Sequence, residues 1–416
     1  MTMLNKQMPA TKKYKNMPKG RVDIEDALAS PAYFEGEREG IFKKVWLNLA
    51  RASDIPNSGD YVVKTIETLE TSIILVRNKE GRINAFHNAC VHRGMTLCGK
   101  HDTSGNKKFF ACPFHDWVYD TDGVLKAVPD RQFFAEEDLE GLTLSKINVG
   151  LWEGFIFINL DAEPAQTLEE FLGETYKGYE GYFNDDKLKL VNRYVMETDM
   201  NWKFYVDSSI EAYHANVVHI QNNTGQNNDS GTVLHVDAEA IRLYDQHRII
   251  GIPSGFGDRE LAPIEGLSYQ YGSITPYDPR SAGSDMPSGI NCNNDPNWAF
   301  DIVEFFPNIV LFISAPLYAV IRLWPSSENK CLYEADVYMS EPENAAARVA
   351  LEYGLLSLRD VLREDVNTAE GTTTMTRSGA VKNYIFSDQE IAVRHNYKVV
   401  DDMVQAWLKS KKKKGA

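Results

Sequence analysis

Four residues in two short steps carry the strongest chemical signal in the chain. Cys90-Val91-His92 is followed, after 19 intervening residues, by Cys112-Pro113-Phe114-His115. Each step offers one thiolate and one imidazole from a tight loop. Two thiolates and two imidazoles can hold a two-iron cluster asymmetrically. The cysteines take one iron and the histidines the other, and the neutral imidazoles raise the reduction potential above that of an all-cysteine cluster. A Cys2His2 zinc site is the competitor. Zinc modules keep like ligands together, as C-x2-C before H-x3-H, whereas Cys-x-His before Cys-x2-His alternates them. Arg93-Gly94 follow the first step, and Trp117 and Asp122-Gly123 follow the second. Cys98, Cys292 and Cys331 have no partner pattern and read as buried thiols. His87 and His101 flank the motif without fitting a ligand position.

The second signal is Glu211-Ala212-Tyr213-His214-Ala215-Asn216-Val217-Val218-His219. A carboxylate stands three residues before one histidine, and a second histidine stands five after it. The spacing of three puts Glu211 and His214 on one helix face. His219 lies about 500° on from His214 at ~100° per residue, so it shares that face only if the helix loosens or ends first. Two histidines and one carboxylate make the facial triad of mononuclear non-haem iron, which leaves positions open for dioxygen. Gly251, Gly255 and Gly257 form no G-x-G-x-x-G after a strand, so no dinucleotide motif is read here.

Together these constellations resemble the catalytic α subunits of Rieske non-haem iron oxygenases, the aromatic-ring-hydroxylating family. The first is similar to the Rieske [2Fe-2S] motif, and the resemblance runs over nearly the whole chain. It implies a [2Fe-2S] cluster on Cys90, His92, Cys112 and His115, and a mononuclear Fe(II) on His214, His219 and an Asp from a helix far downstream. The matching stretch is Arg363-Glu364-Asp365-Val366-Asn367-Thr368-Ala369-Glu370. Asp365 is assigned, with Asp360, Glu364 and Glu370 as alternatives. The family further implies that Glu211 links a cluster histidine of one subunit to an iron-ligating histidine of its neighbour. Its physical work would be to fix the imidazole tautomer and give electrons a short hydrogen-bonded path. Tyr213 joins Glu211 as a catalytic candidate. Two departures stand out. The 19-residue gap is longer than usual, which suggests an extended loop around residues 100–107, and Asp116 sits where many members have Gly. Many ring-hydroxylating members carry Asp at the position of Glu211, and those with Glu include demethylases of quaternary amines as well as hydroxylases of rings.

The resemblance implies a terminal oxygenase. It would use O2 and electrons from NAD(P)H, delivered by a ferredoxin and/or a flavin reductase, to mono- or cis-dihydroxylate an apolar aromatic or alicyclic ring. The alternative is a monooxygenase acting on a quaternary amine or a methyl group, by N- or O-demethylation. A Rieske electron carrier without catalysis is the distant third, disfavoured by the long chain after the cluster that includes His214 and His219. The assembly implied is a homotrimer, or α3β3 with a small β subunit.

These residues need elements to hold them. Residues 21–48 read as helical. Residues 49–160 alternate short β-rich runs (61–66, 71–76, 83–87, 109–111, 117–119, 155–159) with turn signals, as in a small sandwich or barrel. Residues 168–182 and 198–219 read as helices, 220–300 as loops, 301–340 as strands, and 343–371 and 387–408 as helices. The fold class is therefore α+β. An all-β module is set into a larger catalytic domain, whose helix-covered antiparallel sheet the family resemblance makes helix-grip, START-like. The expected boundaries are 1–48 for an N-terminal helical segment, 49–163 for the Rieske domain and 164–416 for the catalytic domain. The 220–300 loops and 301–325 strands should line the pocket, with Phe305, Phe306, Ile309, Phe312, Leu317, Tyr318 and Ile321 from the strands. No Arg or Lys stands out as a carboxylate clamp; Arg242 and Arg248 are unranked candidates.

Composition excludes more than it identifies. The 416 residues carry 44 Lys and Arg against 59 Asp and Glu, a net charge of −15. A surface that acidic argues against a general nucleic-acid binder. The basic run at 411–414 reads as a solvated tail. Five cysteines, an odd number, do not make a secreted disulfide scaffold. Residues 1–20 show no apolar signal region, and the longest apolar runs fall short of the ~18 residues of a membrane span. The expectation is a cytoplasmic enzyme with neither a nucleic acid nor a membrane as partner.

Overall fold

The computed structural model describes residues 13–14, 17, 20–24, 30–134, 138–183, 187–219, 236–253, 263–264, 286–296, 298–314 and 317–414. The chain divides into two compact units, Phe42–Phe171 and the remainder, Met1–Ile41 with Leu172–Ala416. Ahead of the inserted unit come strand β1 (Arg21–Asp23) and helix α1 (Pro31–Glu37). Ser30 caps α1 by accepting from the Tyr33 amide at 3.1 Å, with Pro31 at the first turn, where its missing N–H costs nothing. The helix read over 21–48 is therefore confined to 31–42, its last turn a π-helix.

The inserted unit is all β. Its strands are β2 (Leu47–Arg51), β3 (Asp60–Ile66), β4 (Thr71–Arg77), β5 (Ile83–His87), β6 (Ser104–Asn106), β7 (Phe109–Ala111), β8 (Val118–Asp120), β9 (Leu125–Ala127), β10 (Lys146–Trp152) and β11 (Phe155–Asn159). Seven form one antiparallel sheet in the order β2-β11-β10-β5-β4-β3-β6, and β7-β8-β9 form a small second sheet. β2 pairs with β11, and the Trp46 indole donates to the Gln166 carbonyl at 2.9 Å, so both ends of the insertion are tied into it. The long gap between the two Cys/His steps is not slack. Residues 104–106 zip onto the edge of β3, and Asp102 accepts from both Tyr61 and Lys107. Ile74, Val76, Phe86, Phe110 and Tyr119 make the core, and Cys90, Cys112 and Trp117 belong to it.

In the larger unit, β12 (Lys189–Thr198), β13 (Ile241–Leu243), β14 (Arg248–Pro253), β15 (Trp298–Phe305), β16 (Ile309–Ser314), β17 (Leu317–Ser327) and β18 (Lys330–Met339) form a seven-stranded sheet in the order β12-β18-β17-β16-β15-β14-β13. All its pairings are antiparallel. Helices α2 (Trp202–Ser209), α3 (Ala345–Arg377) and α4 (Ile391–Lys414) cover one face. Tyr205 of α2 meets Tyr333, Tyr194 reaches the Leu355 carbonyl of α3, and Arg248 meets His395 and Asn396 of α4. The opposite face carries Phe305, Tyr318 and Tyr338, packed by Tyr179 and Phe183. Side chains alternate along a strand, so the expected pocket residues divide. Phe312, Leu317 and Ile321 share the helix-covered face with Glu304, while Phe305, Ile309 and Tyr318 look the other way. Within 220–300, β13 and β14 are strands rather than loops, and residues 220–235, 254–262, 265–285 and 297 lie outside the described residues.

The segment read as one helix over 198–219 is broken. Asn201 caps α2, and the Ile210 amide ends it by donating to the Val206 and Asp207 carbonyls. Residues 211–214 then turn, and Ala215–Val218 form a single short turn.

Candidate metal centres

The two Cys/His steps form matched loops. The Cys90 amide donates to the Met95 carbonyl and the Cys90 carbonyl accepts from Gly94, each at 2.8 Å. The Cys112 amide donates likewise to Trp117 at 2.8 Å, and the Cys112 carbonyl accepts from Asp116 at 2.9 Å. The cysteines are buried, while His92 and His115 lie at the surface of the unit, their ring centroids 4.7 Å apart. Trp117 stacks on His92 at 4.8 Å. Burial pushes the Cys90 thiol up, so a thiolate there needs a cation to compensate it. His115 Nδ1 is buried and has no hydrogen-bond partner among the described residues, as a nitrogen reserved for a metal would be. The residues therefore fit a two-iron cluster: two inner thiolates, two outer imidazoles, one orphaned ring nitrogen. Sequence reasoning missed Tyr119, whose hydroxyl lies 3.1 Å from Cys90 Sγ. The three remaining cysteines form no disulfide; Cys98 and Cys331 are buried and Cys292 half-buried.

The second constellation converges on three atoms. His214 Nε2 and His219 Nε2 are 3.2 Å apart, and Asp365 Oδ1 lies 3.3 Å from the first and 3.4 Å from the second. Ligands that each sit about 2.1 Å from one metal are spaced in that way. The break after α2 makes this possible, because it lets two histidines five residues apart face one point. Asp365 comes from α3 and is 3% exposed, and its Oδ1 has no hydrogen-bond partner among the described residues. Burial alone would hold both histidines neutral. The carboxylates outweigh it: Asp365 and Glu211 push His214 up to about 10, and Asp365 raises His219. Burial would raise the Asp365 carboxyl, but the two imidazoles hold it low. His214, His219 and Asp365 could hold a divalent cation, which would take over that charge balance in place of the protons.

Both far ring nitrogens are held. Glu211 takes His214 Nδ1 with Oε1, while its Oε2 accepts from the Tyr213 and His214 amides. Glu364 Oε2 lies 2.8 Å from His219 Nδ1. Glu211 also borders a cavity of about 280 Å³ shared with Asp207, His214, Thr368 and Tyr384. Tyr213 meets this site only through its backbone amide, and its side chain is exposed. The other acids weighed for the iron point elsewhere. Asp360 pairs with Arg359, and Glu370 accepts from the Asp199 amide and approaches Arg363. No described helix is long and apolar enough to cross a membrane.

Residues 186–406 match the family described as ring hydroxylating alpha subunit (catalytic domain), and residues 45–136 match the Rieske [2Fe-2S] domain. The chain is 28% identical over 304 residues to the 2-aminobenzenesulfonate 2,3-dioxygenase subunit alpha of an Alcaligenes species, which covers 72% of this chain and 70% of that one. It is 33% identical over 186 residues to the carnitine monooxygenase oxygenase subunit of Escherichia coli K12, spanning 45% of this chain and 49% of that protein. Its fold is similar to the apo quaternary ammonium Rieske monooxygenase CntA, with a TM-score of 0.68 at 21% identity over 95% of this chain and 99% of the other.

Proposed function

The chain belongs to the ring-hydroxylating α-subunit family of Rieske oxygenases, and from that premise we propose how its residues divide the work and on what they act. It has the Rieske [2Fe-2S] domain and the catalytic domain that binds mononuclear iron. Cys90, His92, Cys112 and His115 hold the cluster, and His214, His219 and Asp365 hold the iron. The observation that carries this reading is the triangle of His214, His219 and Asp365, on the same chain as the paired Cys/His loops. When bound, the cluster supplies electrons singly and the iron supplies O2 activation beside the substrate.

The residues of the chain do the rest. Glu211 keeps the His214 ring turned so that Nε2 faces the triangle. Asp365, held by α3, supplies the third donor, and an iron held by these three would keep positions open for O2 and substrate. Phe300, Phe312, Leu317 and Ile321 give the helix-covered sheet face an apolar lining, which suits a ring and excludes water. The substrate class is therefore an aromatic or alicyclic ring, hydroxylated once or as a cis-diol. A second reading, demethylation or hydroxylation of a quaternary amine, draws on Glu211 and on the likeness to the carnitine monooxygenase subunit.

Electrons reach the cluster from NAD(P)H through a reductase, with or without a ferredoxin. The working assembly is a homotrimer, with or without a β subunit. Two features support it, one on each unit. The cluster histidines are ringed by exposed Val91, Met95 and Phe114, and Glu211 opens on its own cavity. A reductase-coupled screen of ring compounds and methylated amines, with products read by mass, tests the whole reading. Gain of two oxygens and two hydrogens means dihydroxylation, and gain of one oxygen means monooxygenation. Formaldehyde release means demethylation. No O2-dependent product from any substrate would remove the oxygenase assignment.

A further inference from the structure

We propose that Glu364 is a positioning residue of the mononuclear site, which holds His219 by its far ring nitrogen and leaves ligation to its neighbour Asp365. The proposal rests on His214, His219 and Asp365 being the iron ligands.

Consecutive residues on a helix point about 100° apart. On α3 this separates two adjacent acids into two tasks. Asp365 aims Oδ1 into the triangle, 3.4 Å from His219 Nε2. Glu364 reaches the other side of the same ring, its Oε2 2.8 Å from Nδ1. A carboxylate at Nδ1 accepts its proton and leaves Nε2 with a free lone pair, which is the tautomer a metal requires. It also fixes the ring against rotation and makes Nε2 a stronger donor to the metal.

The two histidines are held by different means. Glu211 lies three residues before His214 and belongs to the same turn. Glu364 comes from a helix 145 residues further along the chain. Its hydrogen bond ties α3 to the turn bearing His219. The same helix that delivers Asp365 thus aligns the ring Asp365 must work beside. Glu211 also borders the cavity beside the site, whereas Glu364 is not among the residues that line it. This predicts that the two carboxylates fail differently when removed: Glu211 in electron delivery, Glu364 in metal retention.

The test uses the full chain with its cluster loaded and the mononuclear iron removed by chelation. Fe(II) is returned by equilibrium dialysis, and bound iron is read per chain. Glu364→Ala should bind Fe(II) about 10- to 100-fold more weakly, with the cluster spectrum unchanged. Glu364→Gln, whose amide oxygen still accepts from Nδ1, should recover most of that loss. At saturating Fe(II), Glu364→Ala should again oxidise its cluster when given substrate and O2. Unchanged affinity in Glu364→Ala overturns the proposal, and so does a glutamine variant as weak as the alanine one. If Glu364→Ala never regains the iron while Asp365→Asn does, Glu364 is itself the ligand and the proposal fails. His219→Ala is the control on the premise: should it keep the mononuclear iron, the ligand assignment falls, whatever Glu364 does.

Discussion

Gly94 and Asp116 hold the same place in two separate loops. Each lies four residues beyond a cysteine of the paired loops, Cys90 or Cys112, each donates its amide to that cysteine's carbonyl, and each has a positive φ, +74° for Gly94 and +56° for Asp116. The left-handed region suits Gly and is tolerated by Asp, but it is costly for a β-branched side chain. Asp116→Gly should therefore be neutral or stabilise the loop by up to about 1 kcal/mol. Asp116→Val should open it and lower cluster content. Cluster absorbance per chain in the two variants measures this, and a valine variant with full cluster content would refute it.

What was legible in the sequence was whatever is local. The four cluster candidates announce themselves because each pair shares one tight loop, and strands 83–87, 109–111, 155–159 and 309–314 fall where their β-rich runs lie. The break between Ser209 and His214 was not legible, because residues 202–219 contain neither Gly nor Pro. Helix propensity there yields to the tertiary requirement that two histidines meet Asp365. The inward or outward sense of Phe305 and Tyr318 was hidden for another reason. Nearly every residue of the central strands is buried, since both faces are covered, and apolar residues fall on both, so alternation leaves little mark. Glu364 and Asp365 could be narrowed by resemblance alone, since only the folded helix separates their directions.

Tyr119 should tune the cluster. Its hydroxyl lies 3.1 Å from Cys90 Sγ; with Cys90 ligating iron as a thiolate it would be the donor and would favour the reduced, more negative state. A charge-assisted bond contributes about 1.5 kcal/mol, and 1.4 kcal/mol corresponds to about 60 mV for one electron. Tyr119→Phe should lower the reduction potential by up to about that amount, since only the difference in bond strength between the two redox states counts, with cluster content unchanged. Redox titration of the cluster spectrum reads it, and an unmoved potential would remove Tyr119 from that role.

His214→Ala and Asp365→Asn should separate the two centres. Each takes one corner from the triangle, so the mononuclear iron and turnover should be lost while the cluster spectrum stays intact. Iron analysis should fall from about three atoms per chain to two. A variant that keeps all its iron and its turnover would show that the iron lies elsewhere.

Glu211→Gln should uncouple the centres without emptying either. Glutamine still accepts from His214 Nδ1, so the ring stays in place, but the carboxylate that borders the cavity is gone. Both metals should be retained, cluster oxidation on adding substrate and O2 should slow, and turnover should fall at least about tenfold, as for other partners of metal-bound histidines. Turnover at the parent rate would end the bridging role.

His395 should make the larger unit sensitive to acid. It is 5% exposed, and its Nδ1 accepts from Arg248 Nε at 3.1 Å. Burial first, then the Arg248 guanidinium, hold its pKa down to about 3, against about 6.5 in an unfolded chain. Between those values the unfolded chain binds a proton that the folded one refuses. Stability should therefore rise with pH through that window and fall as acid is added, by up to about 1.4 kcal/mol per pH unit from this one group. His395→Gln keeps an acceptor for Arg248 but does not titrate. Urea unfolding at several values between about pH 4 and 6 should show a shallower dependence in the variant, because the carboxylates common to both proteins cancel. Equal slopes would mean that His395 is already protonated in the folded chain, with its ring turned away from Arg248.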